Sequence, residues 1–76
     1  MLVLAYIMEA LFDQPGKAGF SVAFGTSDAR YNSNANFYVD LSGTEDEIKD
    51  ALRVRVATAV NAALGLSLTS EDVRLF

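Results

Sequence analysis

Residues 44–65 read TEDEIKDALRVRVATAVNAALG, and start signal, period and stop signal agree there on a single helix. Thr44 followed three residues later by Glu47 is a capping box: the threonine hydroxyl accepts the Glu47 amide and the Glu47 carboxylate accepts the Thr44 amide. Glu45, Asp46 and Glu47 fill the first turn, where the positive end of the helix dipole favours carboxylates by roughly 0.3–1 kcal/mol each. Ile48, Leu52, Val56, Val60 and Leu64 recur every four residues, with Ala59 and Ala63 on the same side, which predicts a buried stripe. The opposite side carries Glu47, Asp50 and Asn61, with Val54, Ala57 and Thr58 as less polar members. Gly65 suits the left-handed residue that ends a helix, with Leu66 folding back on the last turn. The alanines Ala51, Ala57, Ala59, Ala62 and Ala63 permit close approach, and Val54 falls on the side meant for water. Val54 is therefore a candidate partner contact.

Upstream of the helix, Phe37, Val39 and Leu41 alternate with Tyr38 and Asp40, the period of a half-buried strand, which Ser42 and Gly43 end. Before it, Gly25–Asn36, GTSDARYNSNAN, is polar and rich in turn-forming side chains, and predicts an exposed loop with at most a short extended piece at 29–31. Phe20, Val22 and Phe24 alternate with Ser21 and Ala23 in a second strand. Asp13–Gly19 is the turn preceding it, which favours strand over helix for the apolar run Leu2–Phe12. That first strand places Leu2, Leu4, Tyr6, Met8, Ala10 and Phe12 on one face and Val3, Ala5, Ile7, Glu9 and Leu11 on the other. Both faces are apolar, although a single helix covers only one. Downstream, Ser67–Asp72 is polar apart from Leu68, and Val73–Phe76 predicts a short return strand with Val73 and Leu75 inward. The expected architecture is a single α+β domain over residues 1–76, ordered β-β-β-α-β: a small antiparallel sheet with one long helix packed across one face.

At 76 residues such a domain stands near the size where one core gives only a few kcal/mol. No cysteine and no histidine is present, which removes disulfides, thiolate metal sites, the commonest metal ligand and every Ser-His or Cys-His constellation. The net charge of −4, with six scattered basic residues, argues against a nucleic-acid surface. The first twelve residues lack a basic leader and are interrupted by Glu9, so neither a signal peptide nor a membrane span is predicted. A cytoplasmic or virion-associated setting is expected, and a motif-free chain of this size suits an accessory phage protein.

Two carboxylate pairs, Asp40 with Glu45 and Glu71 with Asp72, are the nearest acid/base candidates, and helix dipole and solvation account for them without catalysis. Residues 40–46 lack the spacing of a calcium loop, and Gly16-Lys17-Ala18-Gly19 lacks that of a phosphate loop. No enzymatic role, metal or cofactor is expected. Half of the chain is hydrophobic, and a domain this small buries only about 60% of its unfolded surface, which leaves apolar area for a partner. Most of the predicted strands, at about 17 Å for five residues, are shorter than a helix of roughly 30 Å, and only the first, running to Phe12, is comparably long, so helix and first strand should project together. An edge position for the last strand would also permit pairing with a foreign strand. The expectation is a protein-interaction module that self-associates or docks into a larger assembly, with Tyr6, Met8 and Val54 at the contact. The alternative is an inhibitor or sequestering protein that binds a host protein or small ligand through the acidic face and the 26–37 loop, with Tyr31 and Asn34 as its contacts, although anchoring its own loop to the domain is the more ordinary role for Tyr31.

Overall fold

The computed structural model describes residues 1–76. Three strands come first: β1 (Val3–Leu11), β2 (Lys17–Thr26) and β3 (Asn32–Asp40). Helix α1 (Glu45–Leu64), a 3-10 turn (Ser70–Asp72) and β4 (Val73–Leu75) follow. The sheet order is β3-β2-β1-β4, with β1–β2 and β2–β3 antiparallel and β1–β4 parallel. The α+β fold is as the sequence implies, but the sheet is mixed. The helix carries the chain from one edge of the sheet to the other, which brings the last strand in parallel to β1. Phe76 extends that pairing: its N–H donates to the Ala5 carbonyl (2.8 Å) and its carbonyl accepts from the Ile7 N–H (3.1 Å).

The helix ends are made by local chemistry. Thr44 Oγ1 accepts from the Glu47 N–H at 3.2 Å and Glu47 Oε1 accepts from the Thr44 N–H at 3.1 Å, closing the capping box. Gly65 stands at φ 67°, and the Gly65 and Leu66 amides both donate to the Asn61 carbonyl. Leu52, Val56 and Val60 are fully buried against Val3, Ala5, Val22, Phe24, Phe37 and Val73. Two details differ from the predicted stripe. A four-residue spacing drifts about 40° per step, so by Leu64 the stripe has turned away from the sheet and that side chain is exposed. Ala57, placed on the solvent side by the sequence, is buried as part of the core cluster.

Asn61, also assigned to the polar side, is a clamp. Its Oδ1 accepts from the Leu68 N–H (2.8 Å) and its Nδ2 donates to the Leu68 carbonyl (2.9 Å), so one side chain holds the returning segment as a strand would.

The strands are longer than the apolar alternation suggests. Ser21–Gly25 pairs residue for residue with Asn32–Asn36, which makes the predicted 25–36 loop mostly strand. Only 27–31 turns: the Thr26 N–H donates to the Tyr31 carbonyl, the Ala29 N–H donates to the Thr26 carbonyl, and Asp28 Oδ1 accepts from the Arg30 N–H. Strands of nine or ten residues span about 30 Å, the same as the helix, so the predicted projection of helix and β1 beyond the sheet does not occur. No helix is long and apolar enough to cross a membrane.

Candidate functional site

One layer of helix covers one face of the sheet, and the other face is open. Which residues look out from it follows from the pairing register. Before residue 8, Leu4 and Tyr6 lie opposite Gly25 and Ala23. The register then slips between Ile7 and Glu9, leaving Met8 unpaired. A bulge turns two consecutive side chains to one side, so Met8 and Glu9 both face outward, Leu11 follows them, and Ala10 turns inward opposite Phe20. The strict alternation predicted for residues 2–12 therefore fails at Met8, and Glu9 and Leu11 join the face of Tyr6.

Across the open face the rows run from β1 through β2 to β3. Tyr6, Ala23 and Asn34 share one row; Glu9, Ser21 and Asn36 the next; Leu11, Gly19 and Tyr38 the third; Leu4, Gly25 and Asn32 the row on the other side. Arg74 lies beside Leu4 on β4. Phe76 stacks on Tyr6 with ring centroids 4.9 Å apart and planes 13° from parallel. The result is a ridge and a trough. β1 and the chain's last residue supply large side chains: Tyr6 is 48% exposed, Met8 57% and Phe76 57%. In the rows that β1 shares, β2 supplies only Gly19, Ser21, Ala23 and Gly25, with Lys17 beyond them at its start. A depression of about 170 Å³ lies beside Tyr6, over Ala23, Gly25 and Asn32. Tyr38 closes one end of the trough, since a Cβ on Gly19 would stand 2.7 Å from its ring.

The structure thus brings Tyr6, Met8 and Asn34 together on one surface. It places the other two predicted contacts elsewhere. Val54 is 47% exposed on the helix layer, beside a cleft at the β3 edge lined by Lys17, Asp40 and Arg55. Tyr31 anchors its own turn: it packs on the core, its ring centroid 6.3 Å from that of Phe24, and its N–H donates to Thr26 Oγ1. Within 26–37 only the turn at 27–31 is loop; Tyr31 is held inward there and Asn34 belongs to β3. Phe76 and the small β2 residues are the part of the surface that sequence reasoning missed. The signal was available in the spacing Gly19-x-Ser21-x-Ala23-x-Gly25, the complement of Phe20, Val22 and Phe24.

No family model matches the chain, and no curated protein and no solved structure is significantly similar to it.

The carboxylates singled out in the sequence each have a local partner except Glu71. Asp40 pairs with Lys17, which holds its carboxyl below the ordinary 3.8. Glu45 pairs with Lys49 at 3.1 Å one turn on. Asp72 Oδ2 accepts from the Thr69 N–H at 2.8 Å, so it shapes its turn rather than standing free in solvent. No group of three acidic side chains is placed to hold a metal. Tyr38 donates its hydroxyl to Asp13 (2.9 Å), which raises the phenol above its ordinary 10.0.

Proposed function

We propose that the protein is a non-enzymatic association module whose working surface is the open face of the sheet. A single observation carries this reading: Tyr6, Met8 and Phe76, large apolar side chains about half exposed, lie contiguous on a sheet face that no element of the chain covers. Large apolar side chains scattered singly over a surface need no explanation, whereas a contiguous group on one face marks an interaction site. The charge pattern is consistent with it. Glu9 and Arg74 stand one row from the aromatic pair, on either side of it, in the manner of a polar rim around an apolar centre.

The test is absolute mass by light scattering over a hundredfold range of concentration, for the native chain and for Tyr6→Lys. The native chain is expected to exceed 8.2 kDa and the variant to return to it with an unchanged circular dichroism spectrum. A native chain that remains at 8.2 kDa and gains no partner from its native host's lysate would sink the proposal.

A further inference from the structure

The open face is complementary to itself, and this identifies the partner. We infer that a second copy of this chain covers it, the two sheets being related by a two-fold axis that runs parallel to the strands between β1 and β2. This rests on the reading of the open face as an association surface and adds the occupant and its register.

A two-fold axis in that position lays each copy's β1 over the other's β2, and each β4 over the other's β3, with every row facing its own row. Tyr6 then meets the partner's Ala23, where the depression beside Gly25 and Asn32 receives the ring. In the next row Glu9 meets the partner's Ser21, whose hydroxyl is a donor for the carboxylate. At the flank, Arg74 meets the partner's Asn32, whose amide oxygen is an acceptor for the guanidinium. A large ring thus faces a small residue in the Tyr6 row, the charges of Glu9 and Arg74 face hydrogen-bonding groups in theirs, and Phe76, beside Tyr6, lies over the partner's Asn34. The other face-to-face two-fold axis, perpendicular to the strands, sets ridge on ridge and leaves both troughs empty, which forfeits dispersion contacts along their length.

The dimensions agree. The molecule is 35 Å long and about 20 Å across, which bounds the outline of the face at about 700 Å², of the same order as the ~800 Å² that each partner buries in a standard interface. Two faces of this size together clear the roughly 1,000 Å² expected of a specific contact. Sheets of similar twist pack at about 10 Å, a spacing that one layer of interdigitated side chains fills.

A ridge-for-trough exchange tests the register. Ala23→Tyr fills the trough and is expected to weaken the dimer at least tenfold by sedimentation equilibrium. Tyr6→Ala empties the ridge and does the same. The double variant restores complementarity with the roles exchanged, and its dissociation constant is expected to return to within about threefold of the native value. A native dimer whose double variant stays as weak as the single ones would overturn this register while leaving the association surface standing. A native chain that is monomeric at every concentration would overturn the second copy as occupant. Ser21→Phe fills the same trough one row away and gives an independent measurement should the Ala23 variant unfold.

Discussion

Ala29 stands at φ 62°, the one residue other than glycine in the left-handed region, at the tip of the turn that joins β2 to β3. The turn tolerates it because the Thr26–Tyr31 hydrogen bonds fix the chain on either side. Glycine adopts this conformation without the Cβ penalty. Ala29→Gly is therefore expected to stabilise the protein by about 1 kcal/mol, read as a higher urea midpoint at unchanged slope. A lower midpoint would show that the turn relaxes in solution.

Single ionisable groups also set the pH range of stability. The Thr44 amide and hydroxyl lower the Glu47 pKa below its ordinary 4.5, and Lys17 lowers Asp40 below 3.8. A lowered folded-state pKa contributes stability above the ordinary value and loses it as pH falls through the folded one. Tyr38 is raised by Asp13, so its contribution is present in full below pH 10.0 and is lost as pH rises through the higher folded value. Melting temperature should therefore fall below about pH 4 and again above about pH 10. Glu47→Gln should flatten the acid limb, and Tyr38→Phe the alkaline one.

At the scale of elements, Asn61 does the most for its size, because both hydrogen bonds to Leu68 come from one side chain on α1. Removing it leaves a partly buried N–H and carbonyl without partners, and Asn61→Ala is expected to cost about 2 kcal/mol in urea unfolding. Asn61→Asp should be no better at pH 7, since it sets a carboxylate oxygen against the Leu68 carbonyl. A loss under about 0.5 kcal/mol for the alanine variant would mean that water replaces the clamp. This clamp also shows where legibility ends. The helix could be read from Thr44, Glu47 and Gly65 because its signals lie within one turn of its ends. Asn61 looked like any polar residue on an exposed face, since its partner lies beyond the helix end in a segment with no pattern of its own. The same holds for β3. Phe37 and Val39 were legible as strand, but Asn32, Ser33 and Asn34 resemble a loop until β2, ten residues long against the five of its aromatic alternation, demands a partner of equal length. On the site, Tyr6 and Met8 were legible as surplus apolar residues. That Glu9 and Leu11 join them depends on a bulge set by pairing with β2, and that Phe76 joins them depends on the strand order; neither is a local property.

The whole molecule is two layers, with one helix for a sheet that has two faces, and β1 carries apolar residues for both, Val3, Ala5 and Ile7 toward the core and Leu4, Tyr6, Met8 and Leu11 on the open face. A domain of this size with no cysteine to form a disulfide has little stability in reserve, so covering the second face should be felt in folding itself. A partner that binds only the folded chain adds RT ln(1 + [L]/Kd), about 2.7 kcal/mol at a hundred times Kd. For a domain of 60–100 residues each kcal/mol moves the melting temperature by about 4–8 °C. Raising the protein concentration from well below Kd to about a hundredfold above it should therefore raise the melting temperature by roughly 10–20 °C. In Tyr6→Lys, where the ridge is charged, melting should be the same at every concentration. The comparison separates two uses of the open face. A second copy makes the native chain's melting concentration-dependent, whereas a face reserved for a foreign protein leaves it flat, and the stabilisation then appears only on titration with that protein.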